Sequence, residues 1–192
     1  RVAIADCRSM PRQALAIRPY PSEWATEIEV PVVGTVCIRP IRPDDEALYE
    51  QFFAAVTTDD RRLRFFGAGP HLSHGFLARL TQIDYAREMA FVAIAKGTNA
   101  LLGVVRVIAD PDYTHGEYAI LVRSDLKGRG LGWQLMQHLI AYARTEQLRE
   151  LHGAVLAGNT TMLEMCRQLG FAIESELGDP TIRRVVLDLR RR

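Results

Sequence analysis

Hydrophobic and polar positions recur along residues 35–189 in patterns that predict alternating strands and helices. Short apolar runs bounded by turn residues indicate strands, and apolar residues spaced three and four apart indicate amphipathic helices. The resulting order is one strand, three helices, three strands, a helix, a strand, a helix and two strands. This order favours the α/β class in its α+β form, a mixed and mostly antiparallel sheet flanked by helices. The predicted strands are TVCIRPI, MAFVAIA, LLGVVRVIA, EYAILV, LHGAVL, FAIESEL and TIRRVVLDL, and the predicted helices start near Asp44, Thr57, Ser73, Leu131 and Asn159.

Residues 1–34 follow a different pattern. They hold one short apolar piece, VAIAD, followed by four prolines that interrupt any long helix or central strand. We therefore expect one domain over residues 35–192, preceded by an appendage over residues 1–34. The chain does not begin with Met, which we interpret as a start inside a longer protein.

Composition and charge narrow the functional classes. The chain has 24 Lys and Arg against 23 Asp and Glu, so its formal charge of +1 creates no strong field for nucleic acid or an anionic membrane. Three cysteines without CxxC spacing argue against a disulfide framework and against zinc. The HxxH of His71 and His74 has no obvious acidic third ligand, so we expect no metal. The few scattered cysteines favour a reducing cytoplasm, and no apolar run reaches about 20 residues, the length that spans a bilayer.

The segment LKGRGLG places three glycines at alternate positions between a predicted strand and a predicted helix. Glycine lets the backbone approach a ligand closely, and free N–H groups at a helix N-terminus attract phosphate oxygens. Lys127 and Arg129 would add positive charge. The spacing fits neither GxxxxGK[ST] nor GxGxxG, which argues against nucleotide hydrolysis and nicotinamide binding. An anion-binding loop is predicted, with a flexible turn as the structural alternative.

The segment SDLKGRGLGWQLMQHLIAYA, followed by GNTTMLEMCRQLGF, resembles the acyl-CoA-binding core of the GNAT acyltransferases. Their signature is [QR]-x-x-G-x-[GA]; here Asp125 or Lys127 stands at its first position, depending on the register. The resemblance implies a GNAT fold that uses acetyl-CoA as co-substrate. It implies that loop amides hold the CoA pyrophosphate, that one strand pairs with the pantetheine arm where the fourth and fifth predicted strands separate, and that an asparagine lies beside this arm. The implied binding residues are Leu121, Val122, Arg123, Lys127, Gly128, Arg129, Gly130, Leu131, Gly132 and Asn159.

A narrower resemblance is carried by VCIRPIRPDDEALYEQFF, LTQIDYAREMAFVAIA and RVIADPDYTHGEYAILVRSDLKGRGLG. These segments look like the C-terminal domain of Pat-type bacterial protein lysine acetyltransferases, where it follows a module similar to ADP-forming acyl-CoA synthetases. RVAIADCRSM and ALAIRPYPSEWATEIE resemble the end of the ATP-grasp part of that module. The resemblance implies that residues 1–34 are its tail or a linker, and that the substrates are protein lysines, acyl-CoA synthetases being the implied partners.

Amide formation at lysine requires a base, because an ammonium group with a pKa of about 10.4 must lose a proton before it attacks a thioester. Glu117 lies on the strand that leads into the glycine loop, on the same face as Ala119 and Leu121. A strand glutamate alone is more often solvent-facing or ion-paired, but Glu117 matches the Pat-family glutamate. We therefore expect Glu117 to be the general base. We also expect Arg106, on the preceding strand, to stand close and hold it ionised.

Cys166 stands where many GNAT enzymes have a tyrosine that can protonate the departing CoA thiolate. We expect Cys166 to pack in the core instead, because a thiolate leaving group can be protonated by water. Three functions remain open: a protein lysine acetyltransferase, an enzyme that acetylates a small-molecule amine, and a non-catalytic acyl-CoA sensor. The fused-module resemblance favours the first over the second, and Glu117 favours both enzymes over the sensor.

Overall fold

The computed structural model describes residues 18–67, 71–175 and 178–190; the short apolar piece VAIAD of the expected appendage lies outside them. No helix of the described ranges has the length and apolar character needed to cross a membrane. The strands are β1 Thr26–Val30, β2 Gly34–Pro40, β3 Glu88–Ala95, β4 Leu101–Ala109, β5 His115–Val122, β6 Glu150–Leu156, β7 Ala172–Ser175 and β8 Ile182–Asp188. The α-helices are α1 Glu46–Ala54, α2 Thr58–Phe65, α3 His74–Thr81, α4 Leu131–Thr145 and α5 Thr160–Gln168.

These strands form one sheet in the order β1-β2-β3-β4-β5-β6-β8-β7. The neighbours pair antiparallel except for β5 and β6, which run parallel. The predicted mixed, mostly antiparallel sheet is therefore confirmed. The single parallel pair lies near the middle of the order, and the long helix α4 connects its two strands.

Helices cover both faces of the sheet. Helices α4 and α5 pack on one face around Phe91, Leu135 and Leu139. Helices α1, α2 and α3 pack on the other face, where Phe52 and Val92 are core residues. Alternate side chains of β3 enter opposite cores, which explains why MAFVAIA reads as an unbroken apolar run.

The helix starts follow local capping chemistry. The Thr57 and Ser73 hydroxyls accept hydrogen bonds from the first turns of α2 and α3, as N-cap residues do. The first helix starts differently from the prediction at Asp44. Pro43–Asp45 forms a 3-10 turn, and α1 begins at Glu46 because the Asp45 carboxylate accepts from the Arg42 amide and pairs with Arg39.

The segment before residue 35 contributes to this sheet. Strand β1 pairs with β2 along its whole length and forms an edge of the sheet. Trp24 packs against Phe91, His138 and Tyr142. The Nε2 of His138 also donates a hydrogen bond to the Trp24 carbonyl at 2.9 Å. The boundary expected after residue 34 thus falls inside the β1–β2 hairpin. Whether residues 1–34 derive from a preceding module stays a prediction.

Candidate active site

Strands β5 and β6 separate after a short paired stretch, and a cavity opens between them. Their pairing ends at Glu117 opposite His152. Beyond this pair β5 remains bonded to β4, and β6 remains bonded to β8. The cavity has a volume of about 360 Å³ and is lined by residues of β5, β6, α2, α5 and the glycine loop.

The open edge of β5 exposes backbone groups of particular residues. The Arg123 amide donates to the Leu102 carbonyl of β4 at 2.9 Å. Because successive residues of a strand point their backbone groups to opposite sides, Leu121 also faces β4, whereas Ile120 and Val122 face the cavity. Of the segment Leu121–Arg123, only Val122 therefore offers its backbone to the open side. Sequence reasoning missed Ile120, because the direction of the β5 backbone N–H and C=O groups depends on the pairing register with β4.

The glycine loop provides open space in front of helix α4. Gly128 and Gly130 have positive φ angles of 71° and 84°, and a Cβ at either position would meet nothing within 4 Å. Gly130 is the N-cap of α4, no side chain caps this end, and the first turn holds no acidic residue. The amides of Leu131, Gly132 and Trp133 begin the helix and have no intrahelical acceptor. Free amides at an open helix start favour an anion such as a phosphate group.

The Lys127 side chain does not extend freely into this loop. Its ammonium forms an ion pair with Asp60 of α2, which also accepts a hydrogen bond from the Ser124 hydroxyl. Burial raises the pKa of Asp60, but the hydrogen bonds from Lys127 and Ser124 outweigh it and lower the pKa below its ordinary value. The charge expected from Lys127 is thus already paired. The exposed Arg129 and the backbone amides remain available to an anion.

Asn159 caps helix α5 and lines the cavity. Its side-chain oxygen accepts a hydrogen bond from the Met162 amide at 3.2 Å. Its side-chain nitrogen makes no hydrogen bond to the described residues. Asn159 therefore has a structural role at the helix start, and it retains a donor near the predicted position of the pantetheine arm.

Glu117 lies at the point where β5 and β6 separate, and it lines the cavity together with the glycine loop. It is exposed, and it forms no ion pair with the described residues. The expected pairing with Arg106 is wrong. Arg106 lies opposite Ala119, and its guanidinium pairs with Glu88 of β3 and donates to the Leu80 carbonyl.

A different arginine shares the cavity with Glu117. Arg64 of α2 lines the cavity and lies over the Phe65 ring, with its Cζ 4.9 Å from the ring centroid. Burial lowers the pKa of Arg64, the charge of Arg106 acts in the same direction, and the charge of Glu117 opposes them. No sequence signal distinguished Arg64 from the other arginines of α2. Only the packing of α2 against β5 places it here.

Cys166 is fully buried and does not line the cavity. Its Sγ lies 3.2 Å from the Tyr118 hydroxyl, in a hydrogen bond between the two groups. Burial raises the pKa of the Cys166 thiol, with the Tyr118 hydrogen bond acting against this rise. A buried thiol with a raised pKa is poorly placed to deliver a proton to a leaving group in the cavity. These features favour the packing role over the acid role.

We expect Cys166→Ala to leave kcat within about threefold of the parent. It should lower the free energy of unfolding by about 1–2 kcal/mol, because a buried hydrogen bond and a small packed volume are lost. Urea unfolding and steady-state acetylation measure the two effects. Cys37→Ala, at a half-buried thiol of β2, is the control. A tenfold or larger fall in kcat would assign Cys166 a part in the chemistry.

Of the HxxH pair, His71 lies in the loop before helix α3, and His74 lies at the start of that helix. Ser73 is the N-cap of α3, and His74 follows it as the first helical residue. The His74 Nδ1 lies 2.5 Å from a carboxylate oxygen of Glu46. The described part of the chain contains no group of three or more His, Cys, Asp or Glu side chains that could hold a metal ion. The Glu46 carboxylate near His74 belongs to helix α1.

A sheet with one separated parallel pair, a glycine loop before α4 and a cavity between the strands define an acyl-CoA-dependent acetyltransferase architecture. The profile of the acetyltransferase (GNAT) family matches residues 57–171. The chain belongs to the GNAT family, and it is a GNAT acetyltransferase. The predicted GNAT fold is confirmed.

Known relatives agree with this assignment. A protein described as an acetyltransferase from Pseudomonas aeruginosa is 34% identical over 148 residues, covering 76% of this chain and 80% of the relative. An L-methionine sulfoximine/L-methionine sulfone acetyltransferase from the same species is 39% identical over 61 residues, covering 32% of this chain and only 36% of that relative. The crystal structure of the GNAT domain of S. lividans PAT superposes with a TM-score of 0.78 at 24% identity, covering 88% of this chain and 99% of that domain.

Proposed function

We propose that the chain transfers the acetyl group of acetyl-CoA to a primary amine by direct attack, with Glu117 as the general base. The observation that carries this proposal is the position of Glu117. It lies where β5 and β6 separate, in the same cavity as the glycine loop, and has no ion-pair partner among the described residues. A carboxylate without an ion-pair partner among the described residues, in the cavity that the glycine loop also lines, supports an enzyme over a non-catalytic acyl-CoA sensor.

Acetyl-CoA is proposed to bind along the open edge of β5. The loop residues Lys127–Gly132 would hold its pyrophosphate through their amides, and the backbone of Val122, with Ile120, would pair with its pantetheine arm. Asn159 would lie beside this arm. This binding supplies an activated acetyl group as a thioester.

Glu117 then accepts a proton from the incoming ammonium group, directly or through one water. The nitrogen lone pair of the neutral amine attacks the thioester carbonyl carbon, and a C–N bond forms. The nitrogen, which is positively charged after the attack, loses its second proton to solvent. The C–S bond breaks, the carbonyl forms again, and CoA leaves as a thiolate that takes a proton from solvent. No side chain of the described residues is needed as the acid, because a thiol with a pKa of about 8.5 is a competent leaving group.

The acceptor that we propose is a lysine of a protein, an acyl-CoA synthetase in particular, acetylated as a post-translational regulation in the cytoplasm. The sequence resemblance to Pat-type enzymes supports this acceptor. The fold likeness to the S. lividans PAT domain is compatible with it. The exposure of Glu117 also supports it, because a lysine side chain can reach this carboxylate from outside.

A small-molecule amine is the second candidate acceptor. Arg64 and Glu117 place opposite charges in one cavity, which favours a small acceptor that carries both charges. The relative named for methionine sulfoximine and methionine sulfone is described as acting on amino-acid derivatives. That relative matches this chain over a limited segment, so the charge pattern is the stronger argument.

The test is to incubate the chain with acetyl-CoA and with candidate acyl-CoA synthetases or a panel of small amines. Mass spectrometry then locates the acetyl groups. Acetylated lysines in a synthetase, absent when Glu117→Gln replaces the parent, are the expected result. Acetylation of small amines alone would replace the protein acceptor by the second candidate. Acetyl-CoA binding without acetylation of any amine would reject the enzyme proposal in favour of the sensor.

A further inference from the structure

Two arginines, Arg64 and Arg106, line one smaller cavity next to the sheet, and they differ in their partners. Arg106 is paired with Glu88 and bonded to the Leu80 carbonyl. Arg64 forms no ion pair or hydrogen bond with the described residues, although it lines both the main cavity and a smaller cavity that Arg106 shares. The Arg106 guanidinium therefore has a carboxylate partner, and the Arg64 guanidinium has none among the described residues.

An unpaired guanidinium in a partly buried place is unfavourable unless a partner arrives. Five N–H donors extend from this group in a plane, and a carboxylate can accept two of them side by side. The Phe65 ring below Arg64 stabilises its charge but accepts none of these hydrogen bonds in the plane of the guanidinium. A ligand with carboxylate oxygens would supply the hydrogen-bond acceptors that Arg64 lacks among the described residues.

Glu117 is not the carboxylate partner of Arg64. Its carboxylate forms no ion pair with the Arg64 guanidinium. Both line the same cavity. The cavity thus presents one negative and one positive group at separate positions. Its electrostatic complement is a molecule that carries an ammonium and a carboxylate a short distance apart.

We propose that Arg64 binds a carboxylate of the acceptor and thereby holds the acceptor amine at Glu117. This inference rests on the proposed acetyl transfer and adds the class of acceptor to it. The carboxylate can belong to a free α-amino acid or to an acidic side chain next to a target lysine. The transfer itself is unchanged. The ammonium gives one proton to Glu117, the neutral nitrogen bonds the acetyl carbon and then loses a second proton to solvent, and the C–S bond breaks so that the CoA thiolate leaves.

The experiment measures kcat/KM for pairs of acceptors that differ in one carboxylate, with rates expressed per neutral amine. The first arm compares the standard α-amino acids with matching amines, such as L-leucine with 3-methylbutylamine and L-phenylalanine with 2-phenylethylamine. The second arm compares lysine peptides that have Glu or Gln beside the lysine. The parent should prefer the carboxylate by at least about tenfold in one arm, which identifies its source.

Arg64→Gln should remove this preference. We expect a loss of about 10- to 100-fold on the carboxylate acceptor, with a change below about threefold on its partner without the carboxylate. Arg64→Lys should restore part of the loss, because it keeps the charge but not the two-pronged geometry. Arg62→Gln, at an exposed arginine of the same helix, is the matched control and should behave as the parent.

The outcomes distinguish failure of the proposed acetyl transfer from failure of the carboxylate-binding role of Arg64. If no amine is acetylated, the proposed acetyl transfer fails, and this inference fails with it. If amines are acetylated without regard to a carboxylate in either arm, only the inference fails. An equal loss of kcat/KM for both acceptors of a pair in Arg64→Gln would also overturn the inference. Arg64 would then act on Glu117 or on the fold instead of on the acceptor.

Discussion

Glu117→Gln should bind acetyl-CoA like the parent and lose most of its turnover. Glutamine keeps the shape of the side chain but cannot accept the amine proton at neutral pH. Removal of a general base typically lowers the rate by about 10² to 10⁴. Calorimetry measures acetyl-CoA binding, and steady-state acetylation of an amine acceptor measures turnover.

The pH dependence identifies the cause of this loss. Without the base, the rate should follow the fraction of neutral amine, which rises about tenfold per pH unit below an amine pKa of about 10.4. The gap between Glu117→Gln and the parent should therefore narrow from about pH 7 to about pH 9.5. Glu174→Gln, at an exposed glutamate of the edge strand β7, is the control. Rates within threefold of the parent at every pH would exclude Glu117 as the base.

Gly130→Val should weaken acetyl-CoA binding by about 10- to 100-fold or more. The φ of Gly130 is 84°, which valine adopts only with strain, and its side chain would enter the open space in front of the α4 amides. Loss of one hydrogen bond to a charged group costs about 1.5–3 kcal/mol, and each 1.4 kcal/mol is about tenfold in affinity. Calorimetric titration with acetyl-CoA measures the change.

Gly34→Val is a matched control for the backbone strain of Gly130→Val. Gly34 has a φ of 86° and also has nothing within 4 Å of a Cβ, but it is the first residue of β2, after the turn from β1, and lies outside the cavity lining. Both variants should lose similar stability in urea, and only Gly130→Val should lose affinity. Gly132 does not have a positive φ, so Gly132→Val adds a side chain next to the loop without this backbone strain and provides a second test. Unchanged affinity in both loop variants would contradict the phosphate-binding assignment.

The site was predictable as far as it depends on neighbours in the chain. The three glycines, the helix that follows them and the strand before them are local patterns, and the resemblance placed Glu117 on that strand. The position of Glu117 in the cavity follows from the end of the β5–β6 pairing. The side-chain partners were not predictable in the same way: Arg106 pairs with Glu88, and Lys127 pairs with Asp60.

Local periodicity and turn chemistry determined the helices and the central strands, because apolar spacing and capping residues act over a few positions of the chain. The sequence by itself also determined the glycine loop before α4. Only the tertiary structure decided that the polar segment Thr26–Val30 forms an edge strand, that Val122 rather than Leu121 turns its backbone to the cavity, and that Arg64 lines the same cavity as Glu117. Each of these depends on pairing or packing between segments far apart in the chain, where β4 sets the direction of the β5 amides and α2 carries its arginine to the sheet. The periodicity of a single segment contains no information about such contacts.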